Sequence, residues 1–271
     1  MSLNMAVAFP RSFRRAPALR RTIRRSLRRL FVWGLARRGS PYPLEQDARL
    51  VVIAPHPDDG SFACGGLILL KRLEGAEVSV IYLTDGAASH PGHPDVAPVQ
   101  LSKIRCREER TAAATLGLDL ENLTFLAEPD GTLDHLIAER RSALIARIAT
   151  ALRVARPDHL FLPCRRDGSS EHEAGFNLVM AAVAAAAIAP RVFEYPIWAW
   201  WAPLRLAEPL LRAGKVWRVD HSGYQPVKAA ALAAYVSQLE PTAPWPEPVL
   251  SREFAGAFAS PHEYFFEWEP R

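Results

Sequence analysis

The sequence lacks the marks of several classes of protein. Its three cysteines, Cys64, Cys106 and Cys164, lie far apart with no CxxC pair. That spacing indicates neither a thiolate zinc site nor a disulfide framework, and it fits a reducing, cytoplasmic setting. No apolar run approaches the roughly 18 residues that a membrane span requires. The longest early stretch, Leu30 to Ala36, is also short for a signal-peptide core and lacks a cleavage pattern. No internal repeat is visible. The first 40 residues contain no acid at all, but they hold eleven arginines; the whole chain of 271 residues carries +4, so the remainder carries −7. The pI near 9.1 therefore belongs to an N-terminal arm, and the body of the protein is mildly acidic.

Within that arm, residues 1–40, Leu19, Ile23, Leu27, Leu30 and Leu35 recur at helical spacing between arginine pairs, so residues 17–38 read as a basic amphipathic helix. Its apolar stripe can pack on the body, lie on an anionic membrane surface or meet an acidic partner. Nucleic acid is not expected, because no aromatic residues interleave with the basic ones. Gly39-Ser-Pro-Tyr-Pro then reads as a linker. From about residue 45 to 271 a single catalytic domain is expected. Strand-like runs at 50–54, 77–83, 123–126, 159–162 and 192–195 alternate there with helical stretches at 62–74, 101–117, 136–155 and 172–188. That alternation predicts a Rossmann-like three-layer α/β/α fold around a mainly parallel sheet. Ligands in such folds sit beyond the carboxyl ends of the strands.

Two strand ends carry chemistry. After the first strand comes Pro55-His56-Pro57-Asp58-Asp59-Gly60, followed by Ala63, Gly65 and Gly66, small enough to let a helix approach the sheet closely. An imidazole and a carboxylate three residues apart in a tight turn can converge on zinc or another borderline divalent metal such as iron(II). Asp58 between them can then take a proton from water at the metal's open position. The bland alternative is that both acids cap the helix N-terminus. Against it stands a second segment at another strand end, Asp167-Gly168-Ser169-Ser170-Glu171-His172, which offers the third neutral ligand that an open catalytic zinc site needs.

From about Arg49 to Gln238 the chain resembles the LmbE-like or PIG-L deacetylases, zinc enzymes that remove acetyl from N-acetylglucosamine conjugates and related amides. Residues 55–59 match the family's Pro-His-Pro-Asp-Asp-Glu signature, and residues 167–172 its Asp-Gly-His-x-Asp-His segment. Thr84-Asp85-Gly86, the helix from Arg105 to Leu116-Gly117, Pro129-Asp130-Gly131, Tyr195-Pro196, Lys228 and Ser237-Gln238 also look familial. The resemblance implies His56, Asp59 and His172 as metal ligands and Asp58 as base. It implies attack of zinc-bound water on the N-acyl carbonyl of an amino-sugar conjugate.

Three positions break the pattern. Gly60 replaces the usual Glu, Tyr235 stands where many relatives carry His, and Ser169 occupies the place of the His that polarises the carbonyl or protonates the leaving amine. A serine hydroxyl donates a hydrogen bond but is no acid near neutrality, so Asp58 shuttles the proton alone, or His90 or His93 swings in, or Glu171 compensates by orienting His172. Arg105, Asp85 and Asp130 are further candidates for contacting substrate, with surface ion pairing or turn formation as the plainer explanation. The cluster Trp198, Trp200 and Trp201 suits sugar stacking or simple packing, and Cys164 reads as a small buried hydrophobe. Two rival functions stay open: the same hydrolysis on a longer-chain or antibiotic-like amide, and a metal- or sugar-binding protein that has lost catalysis. Homo-oligomerisation and membrane association through the arm also stay open.

Overall fold

A computed structural model describes residues 18–44, 48–201 and 215–269. The start of the predicted basic helix at residue 17, the arm before it and the domain boundary at residue 45 lie outside the described residues. Helix α1 (Ala18–Arg38) leads into the two-residue strand β1 (Ser40–Pro41). There follow β2 (Leu50–Ala54), α2 (Asp59–Leu73), β3 (Val78–Thr84), α3 (Pro98–Thr115), β4 (Leu123–Glu128), α4 (Ala138–Ala155), β5 (His159–Pro163), α5 (Ser170–Ala186) and β6 (Arg191–Tyr195). Two further strands, β7 (Val216–Asp220) and β8 (His262–Trp268), complete an eight-stranded sheet in the order β1-β7-β8-β6-β5-β2-β3-β4.

The central strands are apolar at nearly every position because both faces of the sheet are covered. Leu50, Val52 and Ala54 of β2 point into one core with Val78, Val80, Tyr82 and Phe161, under α2 and α3. Val51 and Ile53 point into the opposite core with Ile81, Leu83, Leu160 and Leu162, under α4 and α5. Burying one such side chain stabilises the fold by about 1.5–3 kcal/mol. Three layers follow directly from this two-sided pattern, as the sequence predicts.

The strand order places the site. From β2 the chain winds outward through β3 to β4, then returns to lay β5 on the other side of β2. The carboxyl ends of β2 and β5 thus flank the point where the winding reverses, the usual crevice for ligands in an open α/β sheet.

The C-terminal part departs from the sequence reading, which contains neither β7 nor β8. β8 runs antiparallel between β6 and β7. The segment expected to be a linker is also structured: Ser40 and Pro41 pair with Trp217 and Arg218, and buried Tyr42 packs edge-on against Phe161, Phe193 and Trp217. Its ring supplies the anchor that Pro and Gly signals alone do not reveal. Upstream, α1 lies on the body, with Leu35 fully buried and Phe31 and Val32 against the core. No helix among the described residues is long and apolar enough to cross a membrane.

Candidate metal centre and active site

Beyond β2 the chain turns at Pro55, whose carbonyl accepts both the backbone N–H (2.9 Å) and the hydroxyl (2.8 Å) of Thr84 at the end of β3. The turn is therefore pinned to the sheet. Asp58 follows with φ 144°, a conformation that side chains of the L series rarely adopt and that costs about 1–3 kcal/mol. It occupies the N-cap of α2, yet its carboxylate makes no capping bond. Instead it meets Arg105, whose Nη2 lies 2.9 Å from Asp58 Oδ2 and 2.6 Å from the carbonyl of Pro57. Arg105 Nη1 donates to the Gly86 carbonyl at 3.3 Å. Gly86 permits this approach, since a Cβ there would stand 2.9 Å from Arg105 Nε. Arg105 is 3 % exposed, so it is not a surface ion-pair residue; it holds the carboxylate of Asp58. Burial pushes the Asp58 carboxyl up to about 7, with Arg105 opposing the rise and the neighbouring Asp59 charge adding to it.

Three donor atoms converge next to Asp58. The side chains of His56, Asp59 and His172 present ligand atoms that all lie within 4.8 Å of one another. Asp59 Oδ2 is 3.1 Å from His56 Nδ1 and 3.3 Å from His172 Nε2. Zinc–nitrogen and zinc–oxygen bonds of roughly 2.0–2.2 Å at tetrahedral angles separate their donors by about 3.3–3.5 Å, so the spacing suits one small cation. Each imidazole is held by its outer nitrogen. His172 Nδ1–H donates to Asp167 at 2.7 Å, and His56 Nε2 meets Glu171 at 2.7 Å and Asp130 at 3.2 Å. Such partners set the tautomer that turns a lone pair toward a metal. His172 Nε2 is buried without a well-formed hydrogen bond, with Asp59 Oδ2 3.3 Å away, and a cation between the two atoms would satisfy both.

The electrostatics agree. Burial disfavours a charged His172, yet Asp59 and Asp167 outweigh it and lift the imidazole to about 9. Burial likewise opposes charge on His56, and Asp130, Asp59 and Glu171 raise it well above its ordinary value. Asp59 sits well below the usual carboxylate range despite its burial, because His172 and His56 favour its charge. The acids around the two imidazoles thus favour positive charge in the pocket. The donor set, two imidazoles and one carboxylate, is that of a borderline divalent metal.

Each of the remaining candidates has a definite place. Asp130 joins His56 and Glu171 in a second group of convergent ligand atoms, and it accepts the Ala88 N–H at 2.8 Å. Asp85 accepts the N–H groups of Ala87 (3.0 Å) and Asp130 (3.1 Å), shaping the rim of the site. Glu171 touches His56 and takes the Leu133 N–H at 3.0 Å; it orients the first imidazole, whereas the sequence suggested His172. Ser169 caps α5, its hydroxyl accepting from the His172 N–H. His90 and His93 are not solvated loop residues. Both are buried and pack on Trp245, His90 parallel to the indole with centroids 5.3 Å apart. Burial, with His93 and Arg105 nearby, lowers His90 to about 4. Gly60 faces Val52, Ala54 and Val80, so its position is lined with apolar groups.

Two residues have contacts that the sequence reading did not assign, Asp167 quoted there only as part of a motif and Glu109 not at all. Asp167 grips His172 and accepts the N–H groups of Ile197 (2.9 Å), Trp198 (2.9 Å) and Ala199 (3.0 Å), tying the turn after β6 to the candidate ligand. Its spacing five residues before a ligand imidazole was the available signal. Glu109, 1 % exposed, accepts from the hydroxyls of Tyr82 (2.6 Å) and Tyr235 (2.8 Å). An acid one helical turn after Arg105 was the only hint.

With this geometry in hand, likeness to known proteins becomes informative. The family described as PIG-L: GlcNAc-PI de-N-acetylase matches residues 51–183, a span that contains the three convergent ligands. The structure of the conserved protein TT1542 from Thermus thermophilus is 30% identical over 70% of this chain and 80% of that one, with a TM-score of 0.53. GalB, the 4-carboxy-2-hydroxymuconate hydratase of Pseudomonas putida, is 16% identical over 82% and 96% of the two chains (TM-score 0.61). The N,N'-diacetylchitobiose deacetylase of Pyrococcus horikoshii is 21% identical over 84% and 82% (TM-score 0.56). At those identities the last two speak for the fold alone. No curated protein sequence matches significantly.

Proposed function

Because the chain belongs to the PIG-L, or LmbE-like, family, we propose that it is a zinc-dependent hydrolase that removes the N-acetyl group from an amino-sugar conjugate. His56, Asp59 and His172 would hold the metal. Zinc there would supply Lewis acidity, polarising the acyl carbonyl and acidifying water. The chain's own groups do the rest. Asp58, titrating near 7, takes one proton from the attacking water and returns it to nitrogen as the C–N bond breaks, so that acetate and a free amine leave. Arg105 fixes the Asp58 carboxylate in the strained turn. Glu171 and Asp130 aim His56, and Asp167 aims His172. The Ser169 hydroxyl is engaged at the start of α5, and His90 and His93 are packed against Trp245; both facts favour Asp58 as the carrier of the proton in both directions.

One observation carries this reading. Two strand-end loops, holding His56 and a Glu171–His172 pair 115 residues downstream, bring their donors to metal-binding distance at the sheet's switch point. Zinc titration of metal-stripped protein, with acetate and free amine measured on N-acetylglucosamine conjugates, tests it. Asp58→Asn is expected to keep the metal and lose about 10²–10⁴ in turnover. Because a hydratase shares the fold, release of both products is the required readout, not substrate loss. Zinc bound tightly with no acetate released would favour a binding protein that has lost catalysis, for which Ser169 is the specific observation; Ser169→His would then restore turnover.

A further inference from the structure

We propose that α1 docks the protein on the surface of an anionic lipid bilayer through its outward face. The inner face is already committed. Leu35 is fully buried, Phe31 and Val32 pack against the core, and the Arg24 guanidinium lies 3.5 Å over Trp201 and 2.9 Å from Glu253. The helix is thus fastened to the body, and three of its other apolar side chains are left largely in solvent. Ile23, Leu30 and Trp33 remain 49 %, 60 % and 54 % exposed. Steps of seven and three place them on one side of the helix, in a row about 15 Å long.

Arginines surround this row. Arg29 and Arg37 are exposed, with Arg37 stacked 3.9 Å over the Trp33 ring; Arg25, also exposed, pairs with Glu253 of the body at 3.2 Å. Arg28, Arg29 and Trp33 also line an open groove of about 430 Å³ beside Trp200 and Ala257, room for a phosphate headgroup. An apolar row flanked by guanidinium groups is the pattern of a helix lying in the plane of an interface. Its tryptophan sits at headgroup level, and its arginines extend to phosphates. The charge distribution selects the same face. Helix α1 carries eight arginines and no acid, and the residues after 40 carry −7, so a negative surface attracts α1 and repels the rest of the molecule. Nucleic acid would satisfy the arginines but leave the apolar row in water. A bilayer satisfies both.

The experiment is co-sedimentation of the full-length protein with vesicles of phosphatidylcholine alone and of phosphatidylcholine mixed with phosphatidylglycerol. Binding at least about tenfold stronger to the anionic vesicles is expected, weakening with added salt. The variant I23S/L30S/W33S should lose about tenfold of it, and R29Q/R37Q a similar amount. Both should retain the unfolding temperature and the hydrolysis of a soluble substrate, because the replaced side chains are exposed on α1, Trp33 and Arg29 bordering the body across an open groove. Absence of binding to anionic vesicles would overturn the proposal. So would full binding by the triple serine variant, which would mark the face as a charge-only site for an acidic protein or another polyanion.

Discussion

Asp167→Asn tests most sharply how the metal site is built. Asp167 Oδ2 accepts from His172 Nδ1 and the Trp198 N–H, and Oδ1 accepts from the N–H groups of Ile197 and Ala199, so the carboxylate serves four donors at once. Asparagine has the same shape but replaces one oxygen with a donor. Placing the new NH2 on the Oδ1 side leaves two buried backbone donors unsatisfied, at about 1–3 kcal/mol each. Placing it on the Oδ2 side leaves only Trp198 unsatisfied, and His172 can answer by moving its proton from Nδ1 to Nε2. That second arrangement costs less, and it puts hydrogen on the nitrogen that must face the metal. Loss of the orienting carboxylate alone weakens metal affinity by about 10–100-fold, equivalent to about 1.4–2.7 kcal/mol; the tautomer change drives the loss to the upper end of that range. Competition for zinc against a chromogenic chelator, with the thermal midpoint of the metal-free protein as control, measures both effects. Zinc affinity within twofold of wild type in a folded variant would refute the idea that Asp167 sets the tautomer of His172.

Two buried acids give further tests. Burial raises Glu109 from 4.5 to about 7, even though the Tyr82 and Tyr235 hydroxyls favour its charged form. The folded protein therefore holds that proton longer than the unfolded chain, and stability declines by on the order of 3 kcal/mol as pH rises from about 4.5 to about 7. Glu109→Gln should flatten that slope in denaturant titrations at several pH values; an unchanged slope would show that Glu109 is ionised throughout. Glu263 accepts the N–H groups of Gly66 (2.6 Å) and Leu67 (2.9 Å) and pairs with Lys228 Nζ at 2.6 Å, all buried. Lys228→Met strips that carboxylate of its countercharge and should cost about 3–5 kcal/mol, read as a fall in unfolding midpoint. Lys228→Met/Glu263→Gln should recover only part of the loss, because the new amide nitrogen meets one of the two backbone N–H groups, at about 1–3 kcal/mol; no recovery at all would show that the unpaired charge is not the cause.

The convergence of His56, Asp59 and His172 was legible because these residues lie in two short segments, each at the carboxyl end of a strand whose apolar run is unmistakable. His56, Asp58 and Asp59 follow Leu50–Ala54 directly, and His172 follows His159–Pro163 within one loop. Local pattern also sufficed for the three layers, since strands covered on both faces read as unbroken apolar runs. Less was legible where partners are distant. Glu171 was named without its contact to His56, which lies 115 residues earlier, and Arg105 was weighed as a substrate contact or a surface ion-pair residue without its contact to Asp58, made from a buried position on α3. The strands β7 and β8 escaped because charged residues interrupt their apolar ones, as in Trp217-Arg218-Val219-Asp220, and their pairing joins segments far apart in the chain.

The amino-acid order by itself determined which residues are able to bind a cation and where the chain alternates between strand and helix, because both are properties of neighbours in the sequence. Only the tertiary structure decided which nitrogen of each imidazole faces inward. That choice belongs to Asp167, Glu171 and Asp130, whose carboxylates reach the two rings after the sheet has brought β2 beside β5. It decided equally that α1 uses one face on the body and leaves another exposed, because burial is a sum over contacts that no local pattern contains.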